Sequence, residues 1–426
     1  MKSKLQYAAG LVTLTLILPA SADVIYSGLL DYTIPTTFAG LTVSVGDGTL
    51  NPFFGGVGVA NNAALQPLRD GTGGLDTILN LGTGSTIDGS SLYLATGDGG
   101  SLDHVGTGSS QFVAGDLGYL GFKLDGTNYG WMRVVFTNNT SSPVAPVIKD
   151  WAYDNTTGAA TTTGNITQSA PSGSTQTVTL TSASGNSFTL GTQITDSLGN
   201  TGGVTNSVVK EGAGTAMLTG SNTYSGSTVV SNGTLLVSGS LTGTGAVTVD
   251  SGATLGGTGV IAGAVNVTGV LAPGASVGTL ATGTLTMNGG STFQYETDSS
   301  VALGVGADFQ KVTGDLTLSG TVTLSLADIA ATDTAFGMGT RFSLINYTGA
   351  WNSGLFTYDH ATLADGAQFT AGLTTWEIDY NATSGGSNFS SDYVAGSFVN
   401  ITAIPETGAG LLGGLGVLIL LRRRRV

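Results

Sequence analysis

Short runs of alternating apolar and polar residues, broken by glycine, fill most of this chain. Ala246-Val247-Thr248-Val249 and Ala264-Val265-Asn266-Val267 turn successive side chains to opposite faces, the period-two pattern of a half-buried strand. From about Val209 the runs recur with a rhythm. Asn232-Gly233-Thr234-Leu235, Ser251-Gly252-Ala253-Thr254-Leu255, Thr268-Gly269-Val270-Leu271 and Gly289-Gly290-Ser291-Thr292-Phe293 repeat one phrase, and their glycines at 233, 252, 269 and 290 stand 19, 17 and 21 residues apart. A period of about 20 residues with short strands and glycine corners is that of a β-solenoid, whose coils bury their apolar faces only by stacking. Outward Thr and Ser are expected to form uncharged ladders. A two-sheet sandwich also yields short strands and is the alternative.

Residues 23–158 have another texture, richer in aromatics. Tyr119-Leu120-Gly121-Phe122-Lys123-Leu124, a turn at Asp125-Gly126, and Tyr129-Gly130-Trp131-Met132-Arg133-Val134-Val135-Phe136 read as a hairpin, with Val147 to Tyr153 as a further strand. Apolar residues on both faces of the second strand suggest the centre of a packed sandwich. The predicted fold is therefore all-β: a β-sandwich-like module over 23–158, a Thr/Ser/Gly-rich linker over 159–174, and a β-solenoid over 175–395.

Both ends read as addresses. Lys2 and Lys4, the apolar run Leu11 to Leu18, and the small-x-small site Ala20-Ser21-Ala22 form a signal peptide over 1–22, cut by signal peptidase after Ala22 to give a mature chain from Asp23. At the other end Ile404-Pro405-Glu406-Thr407 precedes an apolar span, 408–421, and the cluster Arg422, Arg423, Arg424 and Arg425. As a helix that span reaches ~21 Å, short of the ~30 Å hydrocarbon core, so it is expected to be a marginal, transient inner-membrane anchor with its arginines retained on the cytoplasmic side.

Composition narrows the function. Glycine supplies 69 of 426 residues, charged residues only 9%, and cysteine none, so no disulfide contributes. The formal charge is -14, and six of the 13 cations sit at the two ends, leaving seven against 27 acidic groups between them. Such a surface cannot neutralise phosphates, and no nucleic-acid partner is expected.

Three resemblances follow from these residues. Pro405-Glu406, the short Gly/Leu-rich span and the terminal arginines resemble the PEP-CTERM sorting signal of Gram-negative bacteria. That family implies processing by an exosortase and delivery to the cell surface, outer envelope or extracellular matrix. Thr407 stands where a second proline is common, and Ile404-Pro405-Glu406-Thr407-Gly408 also resembles the sortase motif Leu-Pro-x-Thr-Gly. Lys210-Glu211-Gly212-Ala213-Gly214-Thr215 through Leu218 to Gly226, then Gly233-Thr234-Leu235-Leu236-Val237, resembles the autotransporter-associated β-strand repeat. This implies a right-handed parallel β-helix serving as a passenger or stalk.

Catalytic chemistry is sparse. Gly274-Ala275-Ser276-Val277-Gly278 matches the hydrolase pattern Gly-x-Ser-x-Gly without the strand-to-helix context it needs, and Gly408 to Gly413 matches a dinucleotide fingerprint inside the apolar span. The two histidines, His104 and His360, are far apart, and Asp103 beside His104 is a weak acid–base pair. A β-helical polysaccharide-degrading enzyme would pair carboxylates such as Asp250, Asp298, Asp308 or Asp315 with Lys210, Lys311 or Arg341. Asp-Gly turns at Asp47, Asp70, Asp88 and Asp98 offer oxygen ligands for Ca²⁺, although none fits an EF-hand or a Gly-Gly-x-Gly-x-Asp repeat. Trp131, Trp151, Trp351 and Trp376 are candidates for sugar stacking or for core. The expected protein is a non-enzymatic, secreted or cell-surface structural or adhesive protein, without a cofactor and associated with exopolysaccharide. A sortase-anchored adhesin and a polysaccharide-degrading enzyme are the alternatives.

Overall fold

In Val247–Val249 and Val265–Val267 the outer valines are sealed in while the central Thr248 and Asn266 stay at the surface, as the period-two pattern requires. The structure, a computed structural model, describes residues 23–56, 58–69, 78–93, 112–137, 144–199 and 203–405. Within these the chain winds through three sheets in turn. The first holds Thr175–Thr181, Thr205–Glu211, Thr228–Val230, Val247–Val249, Val265–Val267, Leu285–Met287 and Leu316–Leu318. The second runs from Ser187–Leu190 to Leu355–Tyr358, and the third from Ser221–Asn222 to Arg341–Tyr347. Within these spans the rungs pair in parallel with the next, so the fold is a parallel β-helix rather than a two-sheet sandwich.

Register fixes what stacks on what. Val208, Thr228, Val247, Val265, Leu285 and Leu316 follow one another at steps of 20, 19, 18, 20 and 31 residues. The last step is long because a loop closed by the Thr297–Ala307 bridge leaves the rung, carrying exposed Val301, Leu303 and Val305. On the outer side of the second sheet Ser187, Thr215, Thr234, Thr254, Val270, Thr292, Thr323 and Thr357 align as an uncharged ladder. At one corner Gly226, Gly245 and Gly263 stack so closely that a Cβ on Gly245 would lie 1.9 Å from the Gly226 carbonyl oxygen, and one on Gly263 would lie 2.1 Å from that of Gly245. Only glycine fits where these rungs touch.

The second sheet does not stop at the first rung. Asp23–Tyr26 pairs in parallel with Ser187–Leu190 and antiparallel with Val147–Asp154, after which come Asn128–Val135, Leu117–Leu124 and Leu65–Pro67. The two long strands before Val147 are the expected hairpin, with Asp125 and Gly126 at φ 48° and 76° in its turn. A small sheet of Val43–Val45, Gly48–Phe53 and Gly58–Asn61 covers one face, packing Val45, Leu50 and Val59 against Phe122, Met132 and Ile148. The other face, with Trp131 and Ala152, belongs to the same apolar core as the solenoid interior. The sandwich-like module is thus the cap of the β-helix.

The stretch 159–174, expected as a linker, is instead built into this junction. Thr161–Thr162 pairs with Thr86–Ile87, and Ile166–Gln168 pairs with Val178–Leu180. Two of its buried side chains are satisfied locally: Thr163 Oγ1 donates to the Gly82 carbonyl at 2.6 Å, and Asn165 Oδ1 accepts from Trp131 Nε1 at 3.2 Å. At the far end Gln368–Ala371, Thr374–Ala382 and Ser397–Ile404 form an antiparallel set whose last strand pairs with Arg341–Tyr347. The C-terminal part of the stretch expected as solenoid is therefore an antiparallel end cap. Among the described residues no helix is long and apolar enough to cross a membrane. The span 408–421 expected to form the anchor helix, and the signal peptide 1–22, lie outside the described residues.

Candidate functional site

The last described strand is anchored from all sides. Val399, Ile401 and Ala403 are buried, Asn400 Oδ1 accepts from Ser343 Oγ at 2.9 Å, and Asn400 Nδ2 donates to the Ser384 carbonyl at 2.9 Å. Ile404 ends the pairing opposite Thr375. Pro405, which has no N–H to continue a ladder, follows in solvent. Of the sorting residues, Ile404 is thus held in the end cap and Pro405 is exposed. Glu406, Thr407, Arg422, Arg423, Arg424 and Arg425, like Ala20 and Ala22, lie outside the described residues. The second sheet sets eight parallel strands between the N-terminal cap and this exit. At ~4.8 Å per step they separate the two by about 34 Å.

The opposite end is joined by a polar chain. Arg133 Nε donates to Asp150 Oδ1 at 2.9 Å, Tyr26 Oη donates to Asp150 Oδ2 at 2.8 Å, and Arg133 Nη2 also reaches the Gln168 carbonyl at 3.1 Å. The Gln168 side chain accepts from Leu29 N at 2.9 Å and donates to Asn206 Oδ1 at 2.9 Å. Asn206 N donates to Asp196, whose carboxylate also accepts from Ser225 N and Oγ. Burial pushes the Tyr26 hydroxyl well above its ordinary range, and the Asp150 carboxylate beside it adds to that. This network was invisible in the sequence. The only hint is Arg133, one cation amid an apolar strand.

The candidate catalytic acids sit in separate local settings. Asp250 is exposed in a turn, Asp298 binds its own loop through Ser300 N at 2.9 Å, and Asp315 accepts from Ala350 N at 2.8 Å. Asp308 is 1% exposed and accepts from Gly278 N at 3.0 Å and Glu296 N at 2.8 Å, so it ties down the Gly274–Gly278 loop that carries Ser276. Burial holds its carboxyl well above the usual range against the pull of the Glu296 and Gly278 N–H bonds, and the Glu296 carboxylate adds to the rise. Lys210 Nζ donates to the carbonyls of Glu211, Gly212 and Asn232 at a corner. His360 occupies a turn with φ 65°, and His104 lies outside the described residues.

Asp88 Oδ1 is engaged by Ser90 N and Oγ, which hold its carboxyl below the ordinary range, while Asp70 and Asp98 lie outside the described residues. Among the described residues no group of three His, Cys, Asp or Glu side chains is placed to hold a metal. Trp131 and Trp376 are core residues. Trp151 and Trp351 are half-buried, the latter flat on Tyr380 with ring centres 5.1 Å apart.

No curated protein matches the chain. A family model described as the passenger-associated-transport-repeat, PATR, matches residues 208–237. Those residues run from one first-sheet strand through the Gly226 corner to the second-sheet strand of the next rung. The match supports the autotransporter-associated repeat read from Lys210 to Val237, within a passenger-like β-helical domain.

Proposed function

We propose that this chain is an exported, cell-surface structural protein without enzymatic activity, a β-helical rod that holds its N-terminal cap away from the membrane. One observation carries the reading. The exit at Pro405 and the cap lie at opposite ends of the stacked rungs, so a tail tethered beyond Pro405 places the cap outermost. The PATR repeat within the rungs agrees with an exported passenger. In this reading signal peptidase cuts after Ala22, Arg422 to Arg425 retain the tail transiently at the inner membrane, and an exosortase-type enzyme acts near Pro405-Glu406. The released rod associates with the exopolysaccharide matrix through its uncharged faces.

The test is the mature C-terminus from the native host, by intact mass and peptide mapping. A chain ending near Pro405-Glu406, or joined there to another molecule, supports the reading, and the joined species tells exosortase-type from sortase-type chemistry. An intact tail through Val426 refutes it.

A further inference from the structure

Where the cap meets the first rung, Val24 and three segments between residues 154 and 188 enclose a cavity of about 220 Å³. One wall is the end of the strand Val147–Asp154, another the segment 159–165, and the third the first turn of the solenoid, 181–188. Asp154 lines it, 5% exposed, with a bond to Thr156 N at 2.8 Å. Thr161 lines it too, 3% exposed, with an Oγ1 that has no hydrogen-bond partner. Phe188 contributes a partly buried ring, and Asn186 and Ser187 form an exposed rim.

The lining defines what fits. It contains a carboxylate and no lysine or arginine, so an acidic ligand would meet uncompensated repulsion. Carboxylate, hydroxyl and amide groups together call for a ligand that both donates and accepts hydrogen bonds, while Phe188 calls for a C–H face. The volume corresponds to roughly seven waters at ~30 Å³ each, enough for one ring with its hydroxyls and too small for two. We propose that this cavity binds a single neutral sugar unit, with Asp154 accepting from its hydroxyls and Phe188 packing on its C–H face. The exposed rim at Asn186 and Ser187 leaves room for the rest of a polysaccharide chain. The inference rests on the matrix-association part of the proposed function and gives it a location.

The experiment uses the full purified chain with glucose, galactose, mannose and N-acetylglucosamine as probes, read by saturation-transfer NMR and calorimetry. At least one should bind saturably with a Kd on the order of 1 mM. Asp154→Asn, which keeps the bond to Thr156 N, should weaken binding about tenfold or more, the effect of losing a charged acceptor. Thr161→Val removes an unpaired hydroxyl at nearly constant shape, so it should weaken binding while leaving the melting temperature unchanged or higher. Silence from all four sugars at concentrations about fifty times that Kd overturns the proposal. So does binding that both variants leave intact, or calcium chloride alone titrating the site through Asp154. None of these outcomes bears on the mass of the mature C-terminus, so sugar binding and surface sorting fail separately.

Discussion

Substituting Gly245 by alanine tests the stacking geometry directly. Gly245 does not adopt a left-handed φ, so its backbone accepts a side chain, but the new Cβ would stand 1.9 Å from the Gly226 carbonyl oxygen. Ordinary contact requires more than 3 Å, and the obstacle is backbone of the neighbouring rung rather than a movable side chain. Relief therefore means prising rungs apart at the corner. Overpacking of this kind costs about 1–3 kcal/mol. The corner bonds at risk include Thr228 N to the Ala246 carbonyl and Val247 N to the Ala264 carbonyl. Losing one or two of them adds about 1 kcal/mol each, for a total of about 2–5 kcal/mol. Gly252→Ala is the control. It sits at φ +84° with nothing within 4 Å, so it meets left-handed strain alone. That costs about 1–2 kcal/mol, partly offset by reduced freedom in the unfolded chain. Urea denaturation followed by circular dichroism should rank Gly245→Ala about 2 kcal/mol below Gly252→Ala, on the order of the difference between the midpoints of these sums. Equal losses would falsify the claim that rung contact, rather than backbone conformation, demands glycine at this corner.

Three further outcomes are expected. Asp150→Ala strands the buried Arg133 and Tyr26 polar groups and should cost about 3–5 kcal/mol by urea denaturation, whereas the paired change Arg133→Met with Asp150→Leu should cost less than either single removal; a double variant worse than both singles would contradict this. Asp308 and Glu296 are both held above the ordinary carboxyl range by burial, so their contribution is fully present below about pH 4 and is lost as pH rises through their folded values. The urea midpoint of the wild type should therefore fall between pH 5 and pH 8 (approximate settings bracketing that loss) more than that of Asp308→Asn, and parallel profiles would exclude Asp308 as the source. Truncation after Pro405 should leave resistance to limited proteolysis unchanged, while truncation before Ser397 uncovers the strand edges of Arg341–Tyr347 and Thr374–Ala382 and should open the end cap to cleavage.

The sequence disclosed the solenoid because its corners impose glycine at nearly regular intervals and its strands alternate cleanly, as at Val247–Val249. The hairpin around Asp125-Gly126 was legible for the same local reason. Asp23–Tyr26 was not. Its role depends on partners from two distant regions, and nothing within four residues announces that. The segment 159–174 misled because buried rung residues and loop residues have the same Thr/Ser/Gly composition in this chain. Thr161, Thr163, Asn165 and Gln168 became core through side-chain hydrogen bonds and packing that only three dimensions supply. The seam cavity was hidden likewise, since Asp154, Thr161 and Phe188 share no motif. Asp308, by contrast, was picked out as a candidate acid, and only its contacts with Gly278 and Glu296 reveal a brace.

Asp23–Tyr26 also sets an order of events. Val24 pairs with residues 130 and 166 positions further along, Asp154 and Leu190, whereas a rung such as Val247–Val249 finds its next partner 18 positions away. A chain delivered amino end first presents this strand before either partner exists. Closing so long a loop is slow, and nearby rungs nucleate readily once they emerge. The strand must therefore wait as an open edge and slot between cap and rod late in folding, like a keystone set after the arch. The first of the described strands to appear completes the molecule.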